Sequence, residues 1–228
     1  MKLNLNCNFN KLWRIIFALC FVGLPLGSAH AQNNYYDLSD PRVANLLGNV
    51  EKFHLPPGIA KMKAGRYIPA MADFEFILNR FPNHPKALLL VGDLGLKMNQ
   101  TKKAEAYFEK AVELYPNAAR TYMAYGIFLH KRGQLDEAVE KYNKSIELNP
   151  NSSEAHYNLG LTYVALKKYE LANEQAQRAY AMGYPLPGLR NKLRQVNAWK
   201  PSESGPQVEK AVTKPASPPA DEAAAPPE

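Results

Sequence analysis

Four histidines stand between Gln32 and Lys200, at His54, His84, His130 and His156. Imidazole serves metal ligation, proton transfer or activation of a nucleophile, and each needs a second group at a short, defined spacing. None of the four falls within a metal-ligand spacing such as H-x-x-x-H. Both cysteines, Cys7 and Cys20, lie in an N-terminal stretch with the pattern of an export signal, so the processed chain would hold no thiolate for catalysis, metal binding or a disulfide. The loops that cradle phosphate or carry a serine nucleophile, G-x-x-x-x-G-K-[ST], G-x-G-x-x-G and G-x-S-x-G, are missing from the sequence. Asp136-Glu137 and Glu137-Lys141 fit a solvated helix face with i,i+4 support better than a general acid and base. These residues predict a non-enzyme, with no cofactor, no metal site and no catalytic residue. The histidines take other roles: His156 packs, His84 in a turn and His54 before Pro56-Pro57 are solvated, and His130 points by helical phase to an inner face where a partner touches it.

The two ends differ in composition from the middle. Lys2, Lys11 and Arg14 precede the apolar run Ile15 to Leu26, and Ala29-His30-Ala31 stands before Gln32. That order of basic, apolar and small-x-small segments predicts a secretory signal over residues 1–31, cleaved after Ala31. The run holds about a dozen apolar residues, where a membrane span needs roughly 20. Retention of the segment as an anchor is the alternative. Cys20 follows Ala18-Leu19, with no small residue immediately before it, so lipidation is not expected. Residues 201–228 carry 7 of the 18 prolines and only Val208 and Val212 as large apolar side chains, which predicts a disordered tail. The signal and tail take three and two of the 28 basic residues, and the tail five of the 21 acids. The middle therefore keeps 23 basic against 16 acidic groups and the tail is acidic. A positive excess of that size suits acidic peptides or anionic surfaces; in an exported protein it does not point to nucleic acid.

The elements that must position any binding residue emerge from a 34-residue period. Gly58, Gly92, Gly126 and Gly160 fall in register, as do Ala70, Ala104, Ala138 and Ala172. Phe74, Phe108 and Tyr142 follow, and then Ile77, Ala111, Ser145 and Ala179, while Pro82, Pro116 and Pro150 close three of the units. Apolar residues at helical spacing, such as Ala104, Phe108, Ala111, Val112 and Tyr115, give each helix one buried stripe. Small residues at the glycine and alanine positions let two antiparallel helices approach, and the aromatic fills the space beside them. Asn99-Gln100 and Gly133-Gln134 make turns within units. A single hairpin cannot cover its own apolar face, so the units stack.

This register resembles the tetratricopeptide repeat family over residues 51–184, most clearly at Asn158-Leu159-Gly160-x-x-Tyr163 with Lys168-Tyr169-x-x-Ala172. The resemblance implies an all-α fold, a short helical solenoid of three clear repeats (85–118, 119–152, 153–186) after one degenerate repeat (51–84). Pro56-Pro57 predicts that the degenerate unit's first helix is a stub from Gly58 to Ala64. The segment 32–50 supplies a short capping helix through Val43, Leu46, Leu47 and Val50, and 187–200 a solvating helix from about Gly188 to Ala198 with Leu189, Leu193 and Val196 on one stripe.

In that family the first helix of each unit lines a concave surface. Its inward positions map here onto Lys86, Leu89, Asp93, Leu96 and Lys97, then Arg120, Met123, Ile127, His130 and Lys131, then Glu154, Tyr157, Leu161, Val164 and Ala165. The Lys and Asn of the family's carboxylate clamp are replaced by Leu89 and Asp93, Met123 and Ile127, and Tyr157 and Leu161, so a clamp for a free C-terminus is not expected. An apolar floor centred on Met123 with a basic rim of Lys86, Lys97, Arg120 and Lys131 fits a protein segment that is apolar with acidic flanks. The N-terminal segment around Tyr35-Tyr36 could instead cover part of this surface. The resulting expectation is an interaction scaffold in the bacterial envelope, periplasmic after signal cleavage. An accessory subunit of an envelope enzyme, of the cytochrome-maturation or cell-wall type, and a spacer whose tail makes the contact remain alternatives.

Overall fold

The structure, a computed structural model, describes residues 32–201. The expected signal and nearly all of the expected tail lie outside the described residues. Within them the chain is all helical, with α1 at Pro41–Lys63, α2 at Tyr67–Arg80, α3 at Pro85–Lys97, α4 at Thr101–Leu114, α5 at Ala119–Arg132, α6 at Leu135–Leu148, α7 at Ser153–Ala165, α8 at Tyr169–Ala181 and α9 at Gly188–Gln195. No helix among these residues is long and apolar enough to cross a membrane. The helices pair as α1/α2, α3/α4, α5/α6 and α7/α8, and each pair packs on the next. The first helices α3, α5 and α7 also pack side by side, so they form one continuous wall.

The turns inside the units repeat as strictly as the cores. Gly65, Asn99, Gly133 and Lys167 all have positive φ, at 72°, 56°, 86° and 58°, and stand one period apart. A left-handed residue ends each first helix and turns the chain back. Only two of the four are glycine, so Asn99 and Lys167 hold a conformation that a Cβ disfavours, and the packing of the hairpins outweighs that cost.

The register glycines are buried where an aromatic lies across them. A Cβ on Gly58 would stand 2.5 Å from the Phe74 ring, and one on Gly126 would stand 2.8 Å from Tyr142. Gly92 would meet Phe128 at 3.1 Å and Phe108 at 3.3 Å. Ala104, Ala138 and Ala172 are wholly buried beside them. The last unit departs from this scheme. Ala176 occupies the register position of the aromatic, and Gly160 instead faces Leu189 of α9, to which a Cβ would come within 2.5 Å. The closing helix thus fills a gap that the repeat itself leaves. Gly95, which the register did not single out, makes the tightest contact within its hairpin, 2.5 Å from a Cβ to that of Ala104.

Three local expectations need correction. Helix α1 does not break at Pro56-Pro57 but runs unbroken for 23 residues. Both prolines are exposed, as are Lys52 and Phe53, whose carbonyls lose their amide partners, so water reaches those oxygens. On the opposite face Val50 and Gly58 are buried and Leu55, Ile59 and Met62 pack on the core, which keeps the helix seated on α2. At the other end α9 stops at Gln195, with Asn197 left-handed, and Val196 is 41% exposed, leaving Leu189 and Leu193 as the buried stripe. His84 is buried and His54 only half-buried, neither of them free in solvent, as described below.

Candidate partner-binding face

Two side-chain links tie predicted inward positions of α5 to the neighbouring first helices, one to another predicted position, Asp93, and one to the buried Thr162. Lys131 of α5 bonds Asp93 of α3 at 2.7 Å. His130 Nδ1 lies 2.9 Å from Thr162 Oγ1 of α7. The Thr162 hydroxyl donates to the Asn158 carbonyl, so the imidazole N–H must donate to the hydroxyl oxygen, which fixes the proton on Nδ1. His130 is half-buried, and burial first, with Lys192 second, lowers its pKa. Its Nδ1 therefore belongs to a bridge between units.

Along this face Leu89, Leu96, Met123 and Ile127 are partly buried, their bases packed on the core and their ends reachable. Lys86, Lys97 and Arg120 are exposed around them. Lys97 stands 5.9 Å from the Tyr67 ring, whereas Lys86 and Arg120 form no ion pair among the described residues. Lys131 is exposed as expected, but its charge is spent on Asp93.

The third stretch of the face is different. Tyr157 is 7% exposed, capped by the Tyr184 ring at 4.3 Å and by Gly188, so it is not an open groove residue. Leu161 and Val164 pack with it against the cluster that includes Leu189 and Leu193. The loop 182–188 and α9 close the face here, because the last unit must bury the side that a further repeat would have covered. Glu154 and Ala165 remain exposed beside it. The open face therefore extends from Lys86 to Lys131.

The remaining histidines hold structural positions. His156 packs as expected, 3% exposed, between Gln175 Oε1 at 2.6 Å and the Pro150 carbonyl at 3.2 Å. His84 is 1% exposed and caps α3, its Nδ1 accepting from the Ala87 amide at 3.1 Å. With Nδ1 an acceptor, the proton is on Nε2, which donates to Glu51 Oε1 at 2.8 Å. His54 stacks on Phe76 at 3.9 Å and reaches Asp73 at 3.3 Å, where Lys61 also binds. The half-burial of His54 behind the Pro-Pro segment follows from the continuity of α1, which a break would have removed. No group of His, Cys, Asp and Glu able to hold a metal occurs among the described residues.

The segment before α1 does not lie on the apolar floor. Its Asn33 amide donates to the Arg80 carbonyl at 2.8 Å and its Tyr35 amide to Asn83 Oδ1 at 2.8 Å. Asn83 Nδ2 donates to Asn34 Oδ1 at 2.7 Å, and Tyr115 Oη to the Gln32 carbonyl at 3.2 Å. Residues 32–36 form a strap along the edge made by the turns between units, with Tyr35 against the His84 ring. Nothing periodic marks this segment, so the repeat register could not reveal it; the run of asparagines and tyrosines was its only signal.

Comparison with known proteins bears on the repeat. Tetratricopeptide repeat models match residues 85–118 and 153–182, another matches 107–140, and a TPR repeat model matches 126–167. No curated protein sequence matches. Among solved structures, the chain is similar to YrrB, described as a TPR protein with an unusual peptide-binding site, at 25% identity over 69% of this chain and 87% of that one, with a TM-score of 0.47. It is similar to PilF of Pseudomonas aeruginosa at 20% identity over 66% and 71%, with a TM-score of 0.52. A thermophilic TPR protein of Thermus thermophilus shares 24% identity over 64% and 80%, with a TM-score of 0.49. The matched models overlap to cover residues 85–182, and with the packing of the three regular hairpins they identify those hairpins as tetratricopeptide repeats.

Proposed function

We propose that the protein is a non-enzymatic interaction scaffold that holds a segment of a partner protein on the face of α3 and α5. The observation that carries this reading is the juxtaposition of Leu89, Leu96, Met123 and Ile127, half-covered and in reach, with the unpaired cations Lys86 and Arg120. An apolar segment with acidic flanks would bury its side chains on the floor and place its acids at the rim. The absence of catalytic motifs in the sequence supports the non-enzymatic part of the reading. The N-terminal pattern of basic, apolar and Ala-x-Ala segments supports export, so the partner is sought in the bacterial envelope and the processed chain in the periplasm.

Photo-crosslinking from position 123 in envelope extracts tests it, with capture by the double variant Met123→Gln, Ile127→Gln as the control. The expected result is one predominant crosslinked partner and loss of capture in the double variant, at a melting midpoint within a few degrees of the original. Tyr157 does not serve for this test, because a polar group there would disrupt the packing under Tyr184. Undiminished capture by the double variant would move the binding site off this face.

A further inference from the structure

Beside the N-terminus of α5 the strap and the turn between the second and third units line an open cavity of about 480 Å³, formed by Asn34, Tyr36 and residues 114–120. We propose that this cavity is a second binding site, which shares Arg120 with the rim of the apolar face but not its floor, and which takes a glutamate or aspartate side chain of an acidic partner peptide together with an apolar residue next to it.

The lining has one charge, the Arg120 guanidinium, and Arg120 has no ion pair among the described residues. No carboxylate is in the lining: Asp37, the acid that follows the strap in sequence, is exposed and accepts from Ser39 at 2.7 Å. A guanidinium without an ion-pair partner in the lining of an open cavity matches a carboxylate by charge and by its planar fork of donors. Two large apolar side chains flank that charge, Tyr36 at 42% and Leu114 at 43% exposed. Exposed apolar groups scattered singly need no account, but these two face one cavity from different parts of the chain. Tyr36 is held there by the strap's hydrogen bonds and by its own amide on Asn34 Oδ1 at 3.0 Å. Charge complementarity makes the occupant acidic, and the two flanking side chains give it an apolar neighbour.

A fluorescence titration of the full chain tests this with a dye-labelled, end-blocked hexapeptide, Ala-Leu-Glu-Leu-Glu-Ala, which offers side-chain carboxylates only. Binding is expected to weaken about tenfold or more with Arg120→Gln, with Tyr36→Ala, and when both peptide glutamates become glutamine. The melting midpoint should not move with Arg120→Gln. Binding should survive the double variant Met123→Gln, Ile127→Gln, so this site and the apolar face can fail separately. Loss in that double variant with retention in Arg120→Gln would place the peptide on the apolar face and overturn the assignment. Equal binding of the glutamine peptide, or displacement by inorganic phosphate at the concentration of the peptide itself, would also overturn it, the latter leaving a bare anion site. Tighter binding of a peptide of residues 217–228 would make the chain's own C-terminal segment the occupant in place of a partner.

Discussion

At the scale of single residues, His84 does the most structural work of the four histidines. Its ring ties three segments together: it caps α3, bonds Glu51 on α1, and supports Tyr35 of the strap. Glu51 is the acid that faces it, and Lys86 on α3 is the nearby cation. Burial, outweighing the attraction of Glu51, lowers the His84 pKa below its ordinary value of 6.5. A proton on Nδ1 would also break the cap. The unfolded chain then binds a proton before the folded one does, so the stability from neutral His84 is fully present above about pH 6.5 and is lost as pH falls through the lower folded value. His130, lowered by burial and Lys192, contributes with the same sign. The expected outcome is a urea midpoint that drops between pH 7.5 and pH 5. His84→Ala should cost about 1 kcal/mol for the lost cap alone, within a range of about 0.5–2, and should flatten part of that pH dependence. An unchanged pH slope in His84→Ala would mean that the folded ring titrates as it does in the unfolded chain.

At the scale of elements, helix α1 shows how far packing overrides local preference. Proline in a helix interior costs about 3 kcal/mol relative to alanine, and two in succession also constrain the residue before each. The helix survives because Val50, Leu55, Gly58, Ile59 and Met62 form one stripe against α2, and the freed carbonyls face water. Restoring two amides on the solvated face should therefore stabilise the chain. Pro56→Ala with Pro57→Ala is expected to raise the thermal midpoint by several degrees, read by circular dichroism at 222 nm, with the helical signal unchanged or greater. A lower midpoint would mean that the prolines reduce the entropy of the unfolded chain by more than they cost in the helix.

For the whole molecule, the hydrophobic core divides in two. One cluster runs from Val50 through Tyr142 to Leu159, and a second gathers Tyr157, Ala172, Ala176 and Ala179 under Leu189 and Leu193. Stacked repeats couple mainly to their neighbours, so a lesion at one end is felt there most. Leu189 is wholly buried over Gly160 and belongs to the same cluster as Ala176. Leu189→Ala is expected to cost about 2–5 kcal/mol locally and to speed amide exchange across α7, α8 and α9. Exchange in α2 and α3 should stay at its original rate, as hydrogen exchange read by mass spectrometry would show. Equal acceleration throughout would indicate one cooperative unit instead of two coupled regions.

The 34-residue period by itself determined the hairpins, the turns at Asn99 and Gly133, and the burial of Ala104, Ala138 and Ala172, while the face on which Leu89, Met123 and Ile127 sit followed from the resemblance to the repeat family. It could do so because those features recur, and recurrence reports packing that each unit makes in the same way. What recurs nowhere had to come from the tertiary structure. The continuity of α1 through Pro56-Pro57 depends on which side of the helix α2 covers, and the covering of Tyr157 depends on α9 taking the place of a missing aromatic and a missing repeat. The structural roles of the buried His84 and the half-buried His54 depend on Glu51, Asp73 and Phe76, brought to them across 19 to 33 positions of sequence. The cavity at Arg120 exists only because an aperiodic strap, fixed by asparagine side chains and main-chain carbonyls, lies against a turn some 80 residues further along. Periodicity fixes which side of each helix is buried, whereas long-range hydrogen bonds and the unpartnered ends of the array decide what lies across it.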